Sequence, residues 1–247
     1  MKNFFKKLKD NFNELLFPSK IHCFICGSEI FDDNYFCLCQ NCFKNLNFLT
    51  NSNTCKICGT KITGIGNLCE RCSINQYKSF KLARAVFEYK GEIVNAIHNL
   101  KFNNKRYIAK PLSNILFDYF SHSTEFEDTD IIIPVPLHKT RLKQRGYNQT
   151  ELMLENFKEN YNVCCDAVIR TKQTESQRTK DAKERFENMK NCFEVVKPEI
   201  IKHKNILIVD DVFTTGATCS SLSKTLLQSG AKQVKCLTLC NTTKQVL

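Results

Sequence analysis

Asp210 and Asp211 stand side by side after an apolar run, Ile206 to Val209, and a hydroxyl-rich stretch follows, Thr214-Thr215-Gly216-Ala217-Thr218. Such a run suits a strand covered on both faces of a parallel sheet. Ligands of these sheets bind just beyond the carboxyl ends of the strands. There a glycine-containing turn, threonine hydroxyls and the start of a following helix can aim donors at an anion, and the helix dipole favours a phosphate. Two carboxylates repel that phosphate but accept hydrogen bonds from hydroxyls. The stretch therefore reads as a site for a diol joined to a phosphate, which is a ribose 5-phosphate. No GxxxxGK[ST] sequence is present for a P-loop, and no GxGxxG follows a strand for a dinucleotide site.

A second chemistry lies in the cysteines. Nine of the fifteen fall between Cys23 and Cys72, and eight of these form four Cys-x2-Cys pairs: Cys23/Cys26, Cys39/Cys42, Cys55/Cys58 and Cys69/Cys72. Zinc takes four ligands in a tetrahedron at about 2.3 Å from thiolate sulfur, so two pairs close one site and the eight residues close two. Sequential and cross-braced pairings use the same eight cysteines, and both stay open. Gly27 and Gly59 follow the first pair of each half, where a positive φ is often needed. Cys37 is a spare that could replace Cys39. All-thiolate sites without an open position are structural, and a segment this poor in large apolar side chains would draw much of its folding energy from the metal.

A secreted disulfide scaffold would require a signal peptide. The start, MKNFFKKLKDNFNELLFP, lacks the apolar core of one because Lys6, Lys7, Lys9 and Asp10 interrupt it. No run of about 18 apolar residues occurs for a transmembrane helix. A cytoplasmic protein is expected.

The elements that must position these residues divide into residues 1–78, an N-terminal helix and double zinc-ribbon module, and 79–247. In the first part, Phe4, Phe5, Leu8, Phe12, Leu15 and Leu16 recur at helical spacing opposite lysines, a stripe expected to pack on its own domain. In the second, strands are expected at 82–89, 131–136, 166–170, 192–196, the motif strand and 233–240, the last closing the sheet. Helices are expected at 92–99, 106–120, 149–160, 181–189 and 220–230. This alternation predicts an α/β fold, a mainly parallel sheet flanked by helices. Lys139, Arg141, Lys143 and Arg145 crowd a predicted loop ending at Gly146, where Arg forks suit a pyrophosphate. Residues 171–191 are long and polar enough for a flap over a sugar.

Over Ile206–Thr218 the sequence ILIVDDVFTTGAT resembles the phosphoribosyl pyrophosphate (PRPP) motif of the type I phosphoribosyltransferases. The resemblance implies that Asp210 and Asp211 hold the ribose hydroxyls and that Thr214, Thr215, Gly216, Ala217 and Thr218 cradle the 5-phosphate. EYKGEIVNAIHNLKF (88–102), PVPLHKTRLKQRGYNQTEL (134–152), RTKQTESQRTKDAKERFENMKNCFEV (170–195) and LLFP before the first cysteine pair resemble blocks of the ComF competence-protein family. One departure is Lys180, where that family usually has leucine. The family joins a zinc module to a phosphoribosyltransferase-like domain and is associated with uptake of transforming DNA near the inner membrane. It implies PRPP with Mg²⁺ as ligand, two structural Zn²⁺, and contacts from Arg145 and Lys101 to the pyrophosphate.

The net charge of +11, from 36 Lys+Arg against 25 Asp+Glu, favours polyanions or highly charged phosphates. Two functions follow. One is an enzyme that lets pyrophosphate leave C1′ and transfers the ribosyl group to an unknown nitrogen acceptor, with Asp210 and Asp211 in the catalytic role. The other is a non-catalytic competence factor that binds single-stranded DNA and competence-machinery proteins and senses a ligand or 5′-phosphate in the same pocket.

Overall fold

The computed structural model describes residues 21–30, 36–49, 53–62, 66–74, 79–173, 189 and 191–242. The expected helix with the Phe4–Leu16 stripe lies outside them, as do nearly all of the expected 181–189 helix and most of the 171–191 segment. In the cysteine-rich part, two short strands, Ile21–His22 (β1) and Glu29–Ile30 (β2), pair antiparallel. Two short helices, Gln40–Asn45 (α1) and Glu70–Ile74 (α2), each carry the later cysteine pair of their half near the N-terminus.

The larger part contains Ala83–Glu88 (β3), Glu92–Phe102 (α3), Ala109–Ser121 (α4), Ile131–Pro134 (β4), Lys139–Arg145 (α5) and Gln149–Leu152 (α6). Val168–Arg170 (β5), Phe193–Val195 (β6), Pro198–Ile201 (α7), Asn205–Phe213 (β7), Ala217–Gln228 (α8) and Gln233–Asn241 (β8) complete it. β3, β8, β7 and β4 form one sheet in that order, every neighbouring pair parallel. β5 and β6 make a separate antiparallel pair. The last strand does not close the sheet: β8 lies inside it, between β3 and β7. Its residues from Val234 to Asn241 are all buried, a pattern that an edge could not satisfy.

Strand alternation builds two apolar layers. Leu207, Val209, Leu237 and Leu239 face α3 and α4, whose stripe includes Ile93, Ala96, Ile97, Leu100, Leu112 and Leu116. Ile206, Ile208, Val234 and Cys236 face Leu222 and Leu226 of α8. Pro111 does not break α4, because it falls in the first turn, where its missing N–H has no intrahelical partner to lose.

Two expectations fail for identifiable reasons. The expected helix over 149–160 stops at Leu152 and resumes only as a 3₁₀ turn, Glu155–Phe157. There the Asn156 N–H donates to Ser113 Oγ at 3.2 Å and its side chain donates to Asn114, drawing the chain onto α4. The basic stretch after β4 is a helix, α5, and not a loop. The His138 ring nitrogen accepts from the Thr140 N–H at 3.3 Å, and Gly146 ends the helix at φ 79°.

Both rims of the sheet are covered. Along β3, the Leu49 N–H donates to Val86 O and the Glu88 N–H to Asn47 O, both at 2.8 Å. The Phe48 ring rests 4.8 Å from Phe87. Along β4, the Ile132 N–H donates to Asn162 O and the Cys164 N–H to Ile132 O, both at 2.9 Å. The cysteine-rich part does not stand by itself, because Phe24, Leu38 and Leu46 share one apolar cluster with Phe87 and Ile93.

Candidate functional site

β7 continues past its apolar run, through both aspartates, to Phe213. Because successive residues of a strand point to opposite faces, the adjacent carboxylates part company. Asp211 is buried, 5% exposed, on the side of α3 and α6. Its Oδ1 accepts from Lys101 Nζ at 2.7 Å and its Oδ2 from Gln149 Nε2 at 2.8 Å. Lys101 comes from the last turn of α3 and Gln149 is the first residue of α6. Asn148 fixes that helix start, accepting from the Thr150 N–H at 3.1 Å and donating to Val135 O, the residue just after β4, also at 3.1 Å.

Arg145, at the end of α5, donates to Gln149 Oε1, and its guanidinium lies 5.4 Å over the Phe102 ring. The Tyr147 hydroxyl donates to Leu100 O, clamping α3 to the segment that carries Gln149. Burial lowers the pKa of Arg145, and the charge of Asp211 opposes that.

Asp210 is half-buried on the other face, where its Oδ1 accepts from the Asp211 N–H at 2.9 Å. Burial, then the charge of Asp211, pushes its carboxyl up to about 7, while Lys101 and Arg170 pull it down. Arg170 ends β5, its guanidinium 5.6 Å over the Phe193 ring. Its pKa is lowered mainly by burial and also by Arg141, while Asp210 raises it. Arg141 and Arg145, four residues apart on one side of α5, are half-buried, whereas Lys139 and Lys143 are exposed. The basic cluster read from sequence therefore divides, and Lys101, Arg141, Arg145 and Arg170 are cations among the described residues that feel the acids or one another.

Beyond Phe213 the chain turns into α8. Gly216 is the N-cap, in the left-handed conformation at φ 79°, and a Cβ there would lie 2.6 Å from Cζ of Phe213. That ring is buried and meets Phe80 edge-on at 6.0 Å, so it has little room to yield. Thr215 Oγ1 accepts from the Ala217 N–H at 3.3 Å. The first turn of α8, from Ala217, holds no acidic residue, and the N–H groups of such a turn face outward along the helix axis. The turn thus offers an anion a cradle just beyond the strand that carries Asp210.

Sequence reading singled out Lys101, Arg145, Asp210, Asp211 and residues 214–218, and the fold brings all of them to the carboxyl end of the sheet. It missed Gln149 and Arg170. Gln149 lies inside the Gln-Arg-Gly-Tyr-Asn-Gln stretch already quoted, and the signal available was a run of polar residues, Asn148 to Thr150, that turns out to be buried.

The cysteines gather as Cys23, Cys26, Cys39 and Cys42, and as Cys55, Cys58, Cys69 and Cys72, with all sulfurs of a group within 4.8 Å of one another. Cys26 and Cys39 are 3.7 Å apart at sulfur, and Cys58 and Cys69 3.6 Å. A tetrahedron with 2.3 Å bonds has an edge of about 3.8 Å, so both sets fit zinc. The pairing is sequential. Cys37, at φ 50°, lies outside the first set, and Cys39 completes it. The Ser28 hydroxyl and backbone hold the Cys26 thiol down to about 6, which favours a thiolate ligand. The second set is joined to the sheet: Asn241, paired with Phe213 at the end of β8, donates from Nδ2 to Cys58 O and Thr60 Oγ1, both at 3.0 Å.

Comparison with known proteins matches a double zinc ribbon domain over residues 12–73 and a phosphoribosyl transferase domain over 155–246. The "DNA utilization protein YhgH" of Shigella flexneri is 33% identical over 198 residues, spanning 78% of this chain and 86% of the relative. "Competence protein F" of Haemophilus influenzae is 28% identical over 204 residues, 80% of this chain and 87% of its own length. "Competence protein ComFC" of Streptococcus pneumoniae is 26% identical over 204 residues, 82% and 87% of the two chains.

Proposed function

The chain belongs to the ComF family, and from that premise we propose that it is a cytoplasmic, PRPP-dependent phosphoribosyltransferase acting in the handling of DNA taken up during competence. One observation carries the reading. Asp210 sits near the end of β7, three strand residues before a turn whose Gly216 admits no side chain, and that turn opens a twelve-residue helix. Hydroxyl acceptors and an anion cradle at that separation suit a ribose 5-phosphate.

The 5-phosphate lies in the 214–218 turn and the ribose hydroxyls donate to Asp210 and Asp211. Arg145, Arg141, Arg170 and Lys101 balance the pyrophosphate charge. Mg²⁺ carried in with PRPP supplies further charge neutralisation. The C1′–O bond breaks, pyrophosphate leaves with the bonding electrons, and a nitrogen lone pair of the acceptor forms the new bond to C1′. Asp211 is already committed to Lys101 and Gln149. Asp210, with its carboxyl at about 7, is the better base for the acceptor's proton near neutral pH. The four thiolates of each cysteine group hold a structural Zn²⁺, and elemental analysis of protein purified without added metal is expected to give about two per chain.

A second reading is favoured by the 102–107 segment, exposed throughout and containing Phe102, Lys105, Arg106 and Tyr107. This is the composition of a single-strand contact without catalysis. Purified protein incubated with labelled PRPP and Mg²⁺, with and without single-stranded DNA, separates the two. Pyrophosphate release above a no-protein control supports the enzyme. Salt-sensitive DNA binding with no release supports the binder.

A further inference from the structure

Asn241 ends β8 at the carboxyl rim of the sheet and is fully buried. Its Nδ2 donates to Cys58 O and Thr60 Oγ1, both at 3.0 Å, while its Oδ1 has no partner among the described residues. A buried amide kept with part of its capacity unmet calls for a reason. Its side chain leads to the second cysteine group. Cys58 Sγ lies 3.2 Å from Thr60 Oγ1. A zinc-bound thiolate can only accept, so the Thr60 hydroxyl donates to that sulfur and keeps a lone pair for Asn241. The backbone of Asn241 leads to the phosphate turn. It pairs with Phe213, and the next N–H, from Thr242, donates to Phe213 O at 2.9 Å. The Phe213 ring is the surface against which Gly216 closes. The first cysteine group joins the sheet differently, through the apolar cluster of Phe24, Leu38, Leu46, Phe87 and Ile93.

We propose that Asn241 is a positioning residue that couples the second cysteine group to the phosphate turn. Zinc at Cys55, Cys58, Cys69 and Cys72 and PRPP at residues 214–218 then favour each other's binding. This rests on the PRPP reading of the turn and deepens it by naming what controls that site. Both acceptors of Asn241 lie on the 55–60 segment, which closes on itself: the Gly59 N–H donates to Cys55 O at 2.9 Å and the Cys55 N–H to Thr60 O at 2.8 Å. The same segment abuts β3, where Ile57 O accepts from the Ala83 N–H at 2.6 Å. Metal loss removes the ion that gathers the four sulfurs, and the segment loosens. Asn241 then loses both acceptors, the end of β8 is released, and the Phe213 ring is no longer held beneath Gly216. The converse follows from linkage: a ligand that needs the closed turn favours the metal-bound group by the same factor.

Two measurements on the full, zinc-loaded chain test the coupling. Calorimetry with PRPP and Mg²⁺ reads the turn, and equilibrium titration with a competing zinc chelator reads the metal. Asn241→Leu is similar in size but cannot donate; it is expected to keep its zinc and to bind PRPP about tenfold more weakly. Thr60→Val is a milder change that covers the case of a misfolded Asn241 variant. It is expected to weaken PRPP about threefold, and Thr60→Ser, which keeps the hydroxyl, to bind as the parent does. In the chelator titration, the midpoint that moves in Thr60→Val identifies the second zinc. Saturating PRPP is expected to shift that midpoint about tenfold in the parent, to leave the other in place, and to shift neither in Asn241→Leu. Parental PRPP affinity in both Asn241→Leu and Thr60→Val overturns the proposal. So does a PRPP shift of both midpoints alike, which is general stabilisation, or a Thr60→Val titration in which neither midpoint moves. A parent that binds no PRPP removes the pocket reading and the coupling with it. A parent that binds PRPP with no dependence on Asn241 loses the coupling alone.

Discussion

The two faces of β7 treat two neighbouring aspartates in opposite ways. On the α3 side, Asp211 is buried with both oxygens engaged, by an ammonium and by an amide. On the α8 side, Asp210 is left with the Asp211 N–H and a field that disfavours its charge. The difference separates construction from function. A satisfied carboxylate holds Lys101 and, through Gln149, Arg145 in place. A carboxylate held above its ordinary range is a group waiting for something to stabilise it, and strained groups of that kind cluster where ligands bind.

Three substitutions test that contrast. Gly216→Val has the largest expected effect. A β-branched residue would have to adopt a left-handed conformation and displace the Phe213 ring, so PRPP binding measured by calorimetry is expected to vanish rather than weaken. Cys219→Ser, just beyond the turn, is the control and is expected to bind much as the parent does. If the two bind alike, the anion lies elsewhere and the α8 face has no claim on it.

Asp211→Asn comes next. It removes a charge-assisted bond of about 1.5–3 kcal/mol, and PRPP binding is expected to weaken roughly 10- to 100-fold. Because Lys101 loses its counter-charge, the ligand-free protein is also expected to melt about 3–10 °C lower.

Asp210→Asn sharpens the comparison through the opposite sign. PRPP binding is again expected to weaken roughly 10- to 100-fold. Yet the folded carboxyl lies near 7 against 3.8 for the ordinary group, so the unfolded chain releases this proton first. Stability therefore falls as pH rises from about 4 to about 7 and stays level above that. Removing the charge is expected to raise the melting temperature of the ligand-free protein by about 2–5 °C at pH 8, an advantage that fades toward pH 4. Melting curves in which both aspartate variants are destabilised at pH 8 would erase the distinction between the faces.

Much of this was legible in the chain because the chemistry is contiguous. Asp210 to Thr218 form one uninterrupted stretch, and a strand leading into a turn and a helix has only one end at which to place them. The cysteine pairs were readable for the same reason. What spacing could not give was any fact that depends on which distant segments meet. Sequential and cross-braced pairings draw on identical residues, and only the fold separates them. Gln149 was hidden because nothing local marks a glutamine as the partner of a carboxylate 62 residues away. The 149–160 helix was over-read because Asn156 prefers α4 to its own helix, a tertiary contact overriding a local pattern.

The covering of β3 by residues 47–49 bears on how the protein behaves in solution when its metal is lost. A parallel sheet of continuously apolar strands is safe only while its outermost strand has no unsatisfied edge, because an open edge invites another chain to pair with it. Along β3 that protection is not a further strand of the domain. It is a connector lying between the two cysteine clusters, joined to the strand at Leu49–Val86 and Asn47–Glu88. Zinc in those clusters would then guard solubility as well as local folding. Stripping it with a chelator is expected to produce concentration-dependent light scattering before the helical circular dichroism of the larger part is lost.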